Sequence, residues 1–501
     1  MPSNPNATLS TAEARHLLRR TGFGAPPDQV KKLVGPPAMT RADAADYVLN
    51  FKTSRFKPRG RDIDHVHDKW IKYMISVKAP LQEKLVLFWH DHFSTSNAKV
   101  DNSALMANQN SLLRQFCKGN FRDFVKAINT DAAMMEFLDT VRNDKEQPNE
   151  NYARELQELF TLGVKDYSGN ANYAKGDIVQ IARAFTGWDY TSKGKALFDT
   201  SRHDYTADFM ERGPKVIYTT RGGFGSGGQN YAPTATDEGP QEIGAVIDII
   251  FNHQDTDGKK TVARYIAGKL FTYFAQPYPK RPAQPALKGT VDELIASSGF
   301  DSNWDIDGLV KAIIVNDAFY ATDAPAPFLA TDLKSVKWPV DYVVSTLRLL
   351  NMKLQGSSQF INGGSFSAIR DELNNMGQLL LEPPSVFGWN WETAWISSAA
   401  LMARYGFASD VTSARGSGKS RFHPEKLIAT SLTDPAAIVT AVTDVLGVTD
   451  QLTTSDQGWL MNYLTENGAN STLDLTDFDT RNSKLNGLFA LVLQSPVYQM
   501  H

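Results

Sequence analysis

Cysteine is almost missing: Cys117 is the single one in 501 residues, which excludes an intramolecular disulfide framework and cysteine-rich zinc modules. Long apolar runs are missing too. The longest, such as 488–493, fall far short of the roughly 18 to 20 residues that span a bilayer. Neither sign of charge dominates, because Lys+Arg 52 against Asp+Glu 55 leaves a formal net charge of -3. The chain therefore lacks the electrostatic footprint of a dedicated nucleic-acid binder. The polar opening, 1–11, has no apolar segment of the kind that marks a secretory signal peptide. Four familiar catalytic signatures are also missing: the Gly-x-Ser-x-Gly elbow, the phosphate-loop Gly-Lys-Ser/Thr, His-Glu-x-x-His, and a dinucleotide glycine fingerprint in a βαβ setting.

What remains is an ordinary globular composition, with 42% apolar and 21% charged residues, in a length that could hold two or three domains. Apolar side chains recur at three- and four-residue spacing over 80–93, 105–116, 121–138, 149–162, 177–188, 243–251, 262–274, 309–319, 336–350, 395–405, 438–446 and 485–497. That period predicts amphipathic helices, whereas alternating runs are few and short. The expected fold class is all-α: a large multi-helix body with a long Gly-rich loop insertion that can carry a short hairpin. Its parts are an N-terminal helical region 1–188, the insertion 189–239, and a C-terminal helical region 240–501 integrated with the first. The insertion owes its loop reading to the glycines of Arg221, Gly222, Gly223, Phe224, Gly225, Ser226, Gly227 and Gly228. A second break, 276–287, carries Pro277, Pro279, Pro282 and Pro285, which disfavour helix and suggest a linker or surface excursion. Cys117, beside Leu112, Leu113 and Phe116, reads as a buried helix position.

The segment richest in chemistry is 149–160, which contains Asn149, Glu150, Asn151, Arg154, Glu155 and Glu158. On a helix, Tyr152, Leu156, Leu159 and Phe160 form an apolar stripe, and Asn151, Glu155 and Glu158 share its flank with Arg154 further round. One reading is a ladder of surface ion pairs, since Glu150 and Glu158 each stand four residues from Arg154. The other places Glu155 and Glu158 in a cleft as acid/base carboxylates whose charge state Arg154 sets. A second segment holds His90, Asp91 and His92. In a continuing helix, positions two apart diverge by about 200°, but a backbone extending at Asp91 lets both imidazoles converge. With Glu155 or Glu158 they could then hold a divalent metal. His203 and Asp204 open the glycine-rich stretch ahead of Lys215, as a loop that closes over a substrate or as plain surface. Pro383 and Pro384 precede Trp389 and Trp391, which can be core anchors or an aromatic platform for a sugar. Arg404 follows as an anion contact.

Taken in order, these segments resemble a large bacterial family catalogued as domain of unknown function 1800. Its His-Leu-Leu-x-Arg-x-x-Phe-Gly opening matches His16, Leu17, Leu18, Arg20, Phe23 and Gly24, and its Trp-His-x-His-Phe motif matches 89–93. The Asn-Glu-Asn-x-Ala-Arg-Glu-Leu-x-Glu-Leu motif lies at 149–159, Ala-Arg-Ala-Phe-Thr-Gly-Trp at 182–188 and Lys-x-Pro at 337–339. Pro-Pro-x-Val-x-Gly-Trp lies at 383–389, and a closing Ser-Pro-x-x-Gln at 495–499. One departure concerns His-Asp followed closely by Gly and Lys, because here Tyr205 and a longer stretch intervene before Lys215. The resemblance implies an exported, extracytoplasmic protein and a sulfatase-like partner protein, and it favours a site at Glu155, Glu158, His90 and His92.

The combined expectation is an enzyme acting on an extended, polysaccharide substrate by Glu/His acid–base chemistry. Its catalytic residues are Glu155, Glu158, His90, His92, Arg154, His203 and Asp204, and its substrate-binding residues are Asn151, Trp389, Trp391 and Arg404. The alternatives are a metal-dependent hydrolase or oxidoreductase built on His90, His92 and a glutamate, and a non-enzymatic exported binding or assembly protein.

Overall fold

A computed structural model describes residues 3–58, 62–204, 215–218, 229–231, 239–276, 287–321, 335–352, 366–413 and 422–501. The glycine-rich residues 221–228 and the four prolines of 277–286 lie outside that set. The protein is mainly α-helical, as the three-and-four spacing predicts. β-structure among the described residues is confined to two antiparallel two-stranded ribbons. In the first, Trp188–Tyr190 pairs with Ala196–Phe198, Trp188 opposite Phe198. This is the short hairpin expected in the insertion. The second joins Lys215–Ile217 to Gln229–Tyr231.

The Pro80–His92 helix organises the interior. Proline at its start costs no intrahelical bond there, and from Leu81 to His92 every residue is buried. A helix buried on all sides must pair each polar group it carries. Glu83 meets Arg114 in an ion pair and accepts from Trp70 Nε1 at 2.9 Å. Lys84 Nζ donates to both Asp341 oxygens at 2.8 Å. Asp91 Oδ1 accepts from Trp389 N at 2.8 Å, and Oδ2 from Trp391 Nε1 at 3.0 Å.

Cys117 is buried, and burial pushes its thiol up to about 12. The buried apolar side chains form one connected cluster running from Leu9 to Tyr498. The C-terminus returns to this core, where Lys337 N donates to Gln499 O at 2.9 Å and His501 N to Ser335 O at 2.8 Å. Among the described residues, no helix is long and apolar enough to cross a membrane.

Candidate functional site

Asn149 caps the Glu150–Glu155 helix by accepting from Asn151 N at 2.9 Å. The chain then widens into a π-turn over Leu156–Thr161, where Thr161 Oγ1 reaches back five residues to Leu156 O at 2.5 Å. Such a turn loosens the regular ladder and leaves carbonyls for other donors. Tyr265 Oη takes Leu159 O at 3.0 Å, and His92 Nε2 takes Phe160 O at 3.1 Å. Gly163, at φ +75°, follows as the chain turns away.

His92 is thereby assigned a tautomer. A carbonyl can only accept, so Nε2 carries the proton, and Nδ1 is left to accept from Lys269 Nζ at 2.8 Å. Lys269 lies one helical turn beyond Tyr265 on the Thr261–Phe274 helix, its Nζ 5.4 Å from that ring's centre.

Glu155 and Glu158 stand at this widened turn. Glu158 is half-buried and accepts from Tyr173 Oη at 2.9 Å. Glu155 is only 9% exposed, and its buried Oε2 has no hydrogen-bond partner. Burial first, and the nearby Glu158 carboxylate second, push the Glu155 carboxyl up to about 7 against an opposing pull from Arg154. Burial, with negative charge on the two glutamates added to it, also raises the phenols of Tyr173 and Tyr265. The four side chains thus share one electrostatic environment. Of the expected surface ladder one rung exists: Arg154 Nη2 donates to Glu150 at 2.9 Å. Asn151, expected to hold substrate, is exposed and donates to Asp139 at 3.2 Å.

The structure separates His90 from His92. The helix continues through His92, so the two rings leave it on diverging sides. His90 Nε2 accepts from Leu381 N at 3.0 Å, and its ring packs edge-on against Trp70 and Trp389. Burial holds it down to about 3, as a neutral structural base. A metal centre on His90, His92 and a glutamate is therefore corrected, since the two rings do not converge and both His92 nitrogens are engaged. No group of three or more His, Cys, Asp or Glu side chains suited to a metal occurs among the described residues.

The proposed sugar contacts are corrected as well. Trp389 and Trp391 are buried against Trp338 and bonded to Asp91. Arg404 is fully buried and donates to Gln499 Oε1 at 2.9 Å and Lys337 O at 2.7 Å. These three are core residues, closed to a bound polymer. Gly388 explains the tightness of that turn: its φ is +73°, and a Cβ there would run into Asp91 Oδ1.

His203 and Asp204 belong to a different, sealed cluster. His203 Nε2 lies 2.6 Å from Glu242 Oε2, and Lys215 Nζ lies 2.6 Å from Glu242 Oε1 and 2.5 Å from Asp204 O. Arg183 Nε donates to Asp204 at 2.9 Å. All five side chains are buried, so His203 and Asp204 are corrected from loop groups that close over a substrate to interior ones. Lys215 joins them despite the longer spacing. Sequence reasoning missed Tyr173, Tyr265, Lys269 and Glu242, which sit outside the motif segments.

The chain belongs to the family described as protein of unknown function, DUF1800, which matches residues 16–500. No curated protein and no solved structure matches it significantly.

Proposed function

We propose that this protein is an enzyme working by general acid–base catalysis, with Glu155 as the group that moves the proton. The observation that carries the reading is the Glu155 carboxyl itself: buried, unpartnered at Oε2, and held up to about 7. A catalytic acid or base works best with its titration near the operating pH, and a buried carboxylate oxygen without a protein partner calls for a water, an ion or a catalytic role to account for it. Glu158, held by Tyr173, supplies the neighbouring charge. Lys269, which donates to His92 Nδ1 and lies over the Tyr265 ring, is the cation that reaches this turn through Tyr265 and would offset negative charge developing on a substrate there.

Two carboxylates three residues apart on one helix fit poorly with the roughly 5 to 9.5 Å separations of two-carboxylate glycoside hydrolysis. Proton abstraction by one glutamate from the carbon next to a uronate carboxylate fits better: the C–O bond to the leaving sugar breaks as the C=C bond forms, and the glutamate passes its proton to the leaving oxygen. The test is a carboxyl NMR titration of the glutamates. Glu155 is expected to titrate near 7, and Glu158→Gln to lower that midpoint; a Glu155 midpoint at the ordinary 4.5 ends the reading. On a panel of acidic and neutral oligosaccharides, Glu155→Gln is expected to lower turnover by about 10²- to 10⁴-fold.

A further inference from the structure

The C-terminal helices carry a concave surface that the acid–base cluster does not use. The Thr454–Thr465 helix and the Asn486–Gln494 helix border a cleft of 570 Å³, inside the range of small-ligand sites. Trp459 stands on its wall 73% exposed, and Leu491 is 38% exposed. Tryptophan is usually well covered, and leaving an indole face this open forfeits its burial energy.

The polar groups around it decide the ligand class. Asn462 lies three residues from Trp459 and so shares its helix face. Asn467 sits just past the helix end, and both asparagines are exposed. The carboxylates of the cleft are engaged within the chain: Glu466 pairs with Lys484 at 2.7 Å, and Asp456 accepts from the Thr453 hydroxyl at 2.7 Å. Among the described residues no lysine or arginine lines the cleft, so an anionic partner finds no counter-charge there. A neutral ligand with one apolar C–H face and hydroxyls around its edge finds an aromatic face and free amides.

We infer that the Trp459 cleft is a carbohydrate-binding site for pyranose units with equatorial hydroxyls, the sugar ring lying on the Trp459 face and its hydroxyls bonding to Asn462 and Asn467. The electron-rich indole face suits the polarised C–H bonds of such a ring. This inference stands apart from Glu155, because no residue of the cleft belongs to that cluster.

The test is calorimetric titration of the full chain with cellotetraose, alongside sedimentation velocity, for the unsubstituted protein, Trp459→Ala and Asn462→Ala. Trp459 is too exposed for its removal to disturb the core, so a folded variant is expected. Saturable binding that weakens at least about tenfold in Trp459→Ala and severalfold in Asn462→Ala, on the scale of a lost ring or hydrogen-bond contact, supports the site. Absence of binding, or equal binding by all three proteins, overturns it. Self-association abolished by Trp459→Ala without sugar binding also overturns it and assigns the cleft to a second copy of the chain.

Discussion

Glu155, His92 and Lys269 around the π-turn and Glu242, His203 and Lys215 in a second group are the same three residue types put to opposite uses. In the second, Glu242 lies 2.6 Å from both His203 Nε2 and Lys215 Nζ, and all three side chains are buried. The carboxylate stands against both basic groups, so the cluster works as an interior clamp between the Gly239–Asn252 helix, the Lys215–Ile217 strand and the chain before residue 205. In the first, His92 and Lys269 answer each other and the π-turn, while Glu155 is left with a buried oxygen that nothing meets. Residue type alone does not make a site. What separates the two clusters, among the described residues, is whether a cation stands at ion-pair distance from the carboxylate, as at Glu242, and whether the group reaches the surface, where Glu158 and Lys269 are half-buried rather than sealed.

The largest effect is expected at the clamp. Glu242→Ala removes the carboxylate that faces a buried lysine and histidine, and removing one partner of a buried ion pair costs about 3–5 kcal/mol. Urea unfolding is expected to show that loss. A cost below about 1 kcal/mol, the scale of an exposed pair, breaks the comparison by making the clamp energetically equivalent to a surface pair.

Glu155→Gln is expected to act with the opposite sign. The folded carboxyl titrates at about 7 rather than 4.5, so between those values the folded chain keeps a proton that the unfolded chain releases. Stability therefore falls as pH rises through this window and stays reduced above it. Below pH 4.5 both states are protonated and nothing is lost. A shift of this size corresponds to about 3 kcal/mol, and glutamine, which cannot ionise, recovers up to that amount. Unfolding curves at pH 4 and pH 8 check it: near equality at pH 4 and a more stable variant at pH 8. A variant less stable at both pH values makes Glu155 a structural residue like Glu242.

Much of this contrast was written in the sequence, though unevenly. The helices follow from apolar spacing, and Glu155 and Glu158 stand out because a carboxylate pair flanks a clear apolar stripe. The π-turn has no such signature, since its widening depends on Tyr265 and His92 taking the spare carbonyls from distant helices. The divergence of His90 and His92 hinged on whether the helix ended at Asp91. Ser94, Thr95 and Ser96 follow, residue types that compete for backbone hydrogen bonds and often mark a helix end, but Asp91 is drawn into the Trp389 turn, and the helix runs on to His92. Trp389 and Trp391 look the same in sequence whether they face a sugar or the core. Their burial is fixed by Asp91 and Trp338, some 300 and 50 residues away in the chain.

The smallest effect on stability tests the electrostatic half of the comparison most directly. Arg154 is partly exposed and pairs with Glu150, an arrangement contributing about 0.3–0.5 kcal/mol. Arg154→Ala is therefore expected to leave unfolding nearly unchanged. Yet Arg154 is the group that pulls the Glu155 carboxyl down, so its removal is expected to move the Glu155 midpoint further up in the same NMR titration. Added salt is expected to mute that difference, because an exposed guanidinium is screened. If the midpoint stays put while stability drops by a kilocalorie or more, Arg154 acts through packing, and the open cluster owes its raised carboxyl to burial and Glu158 alone.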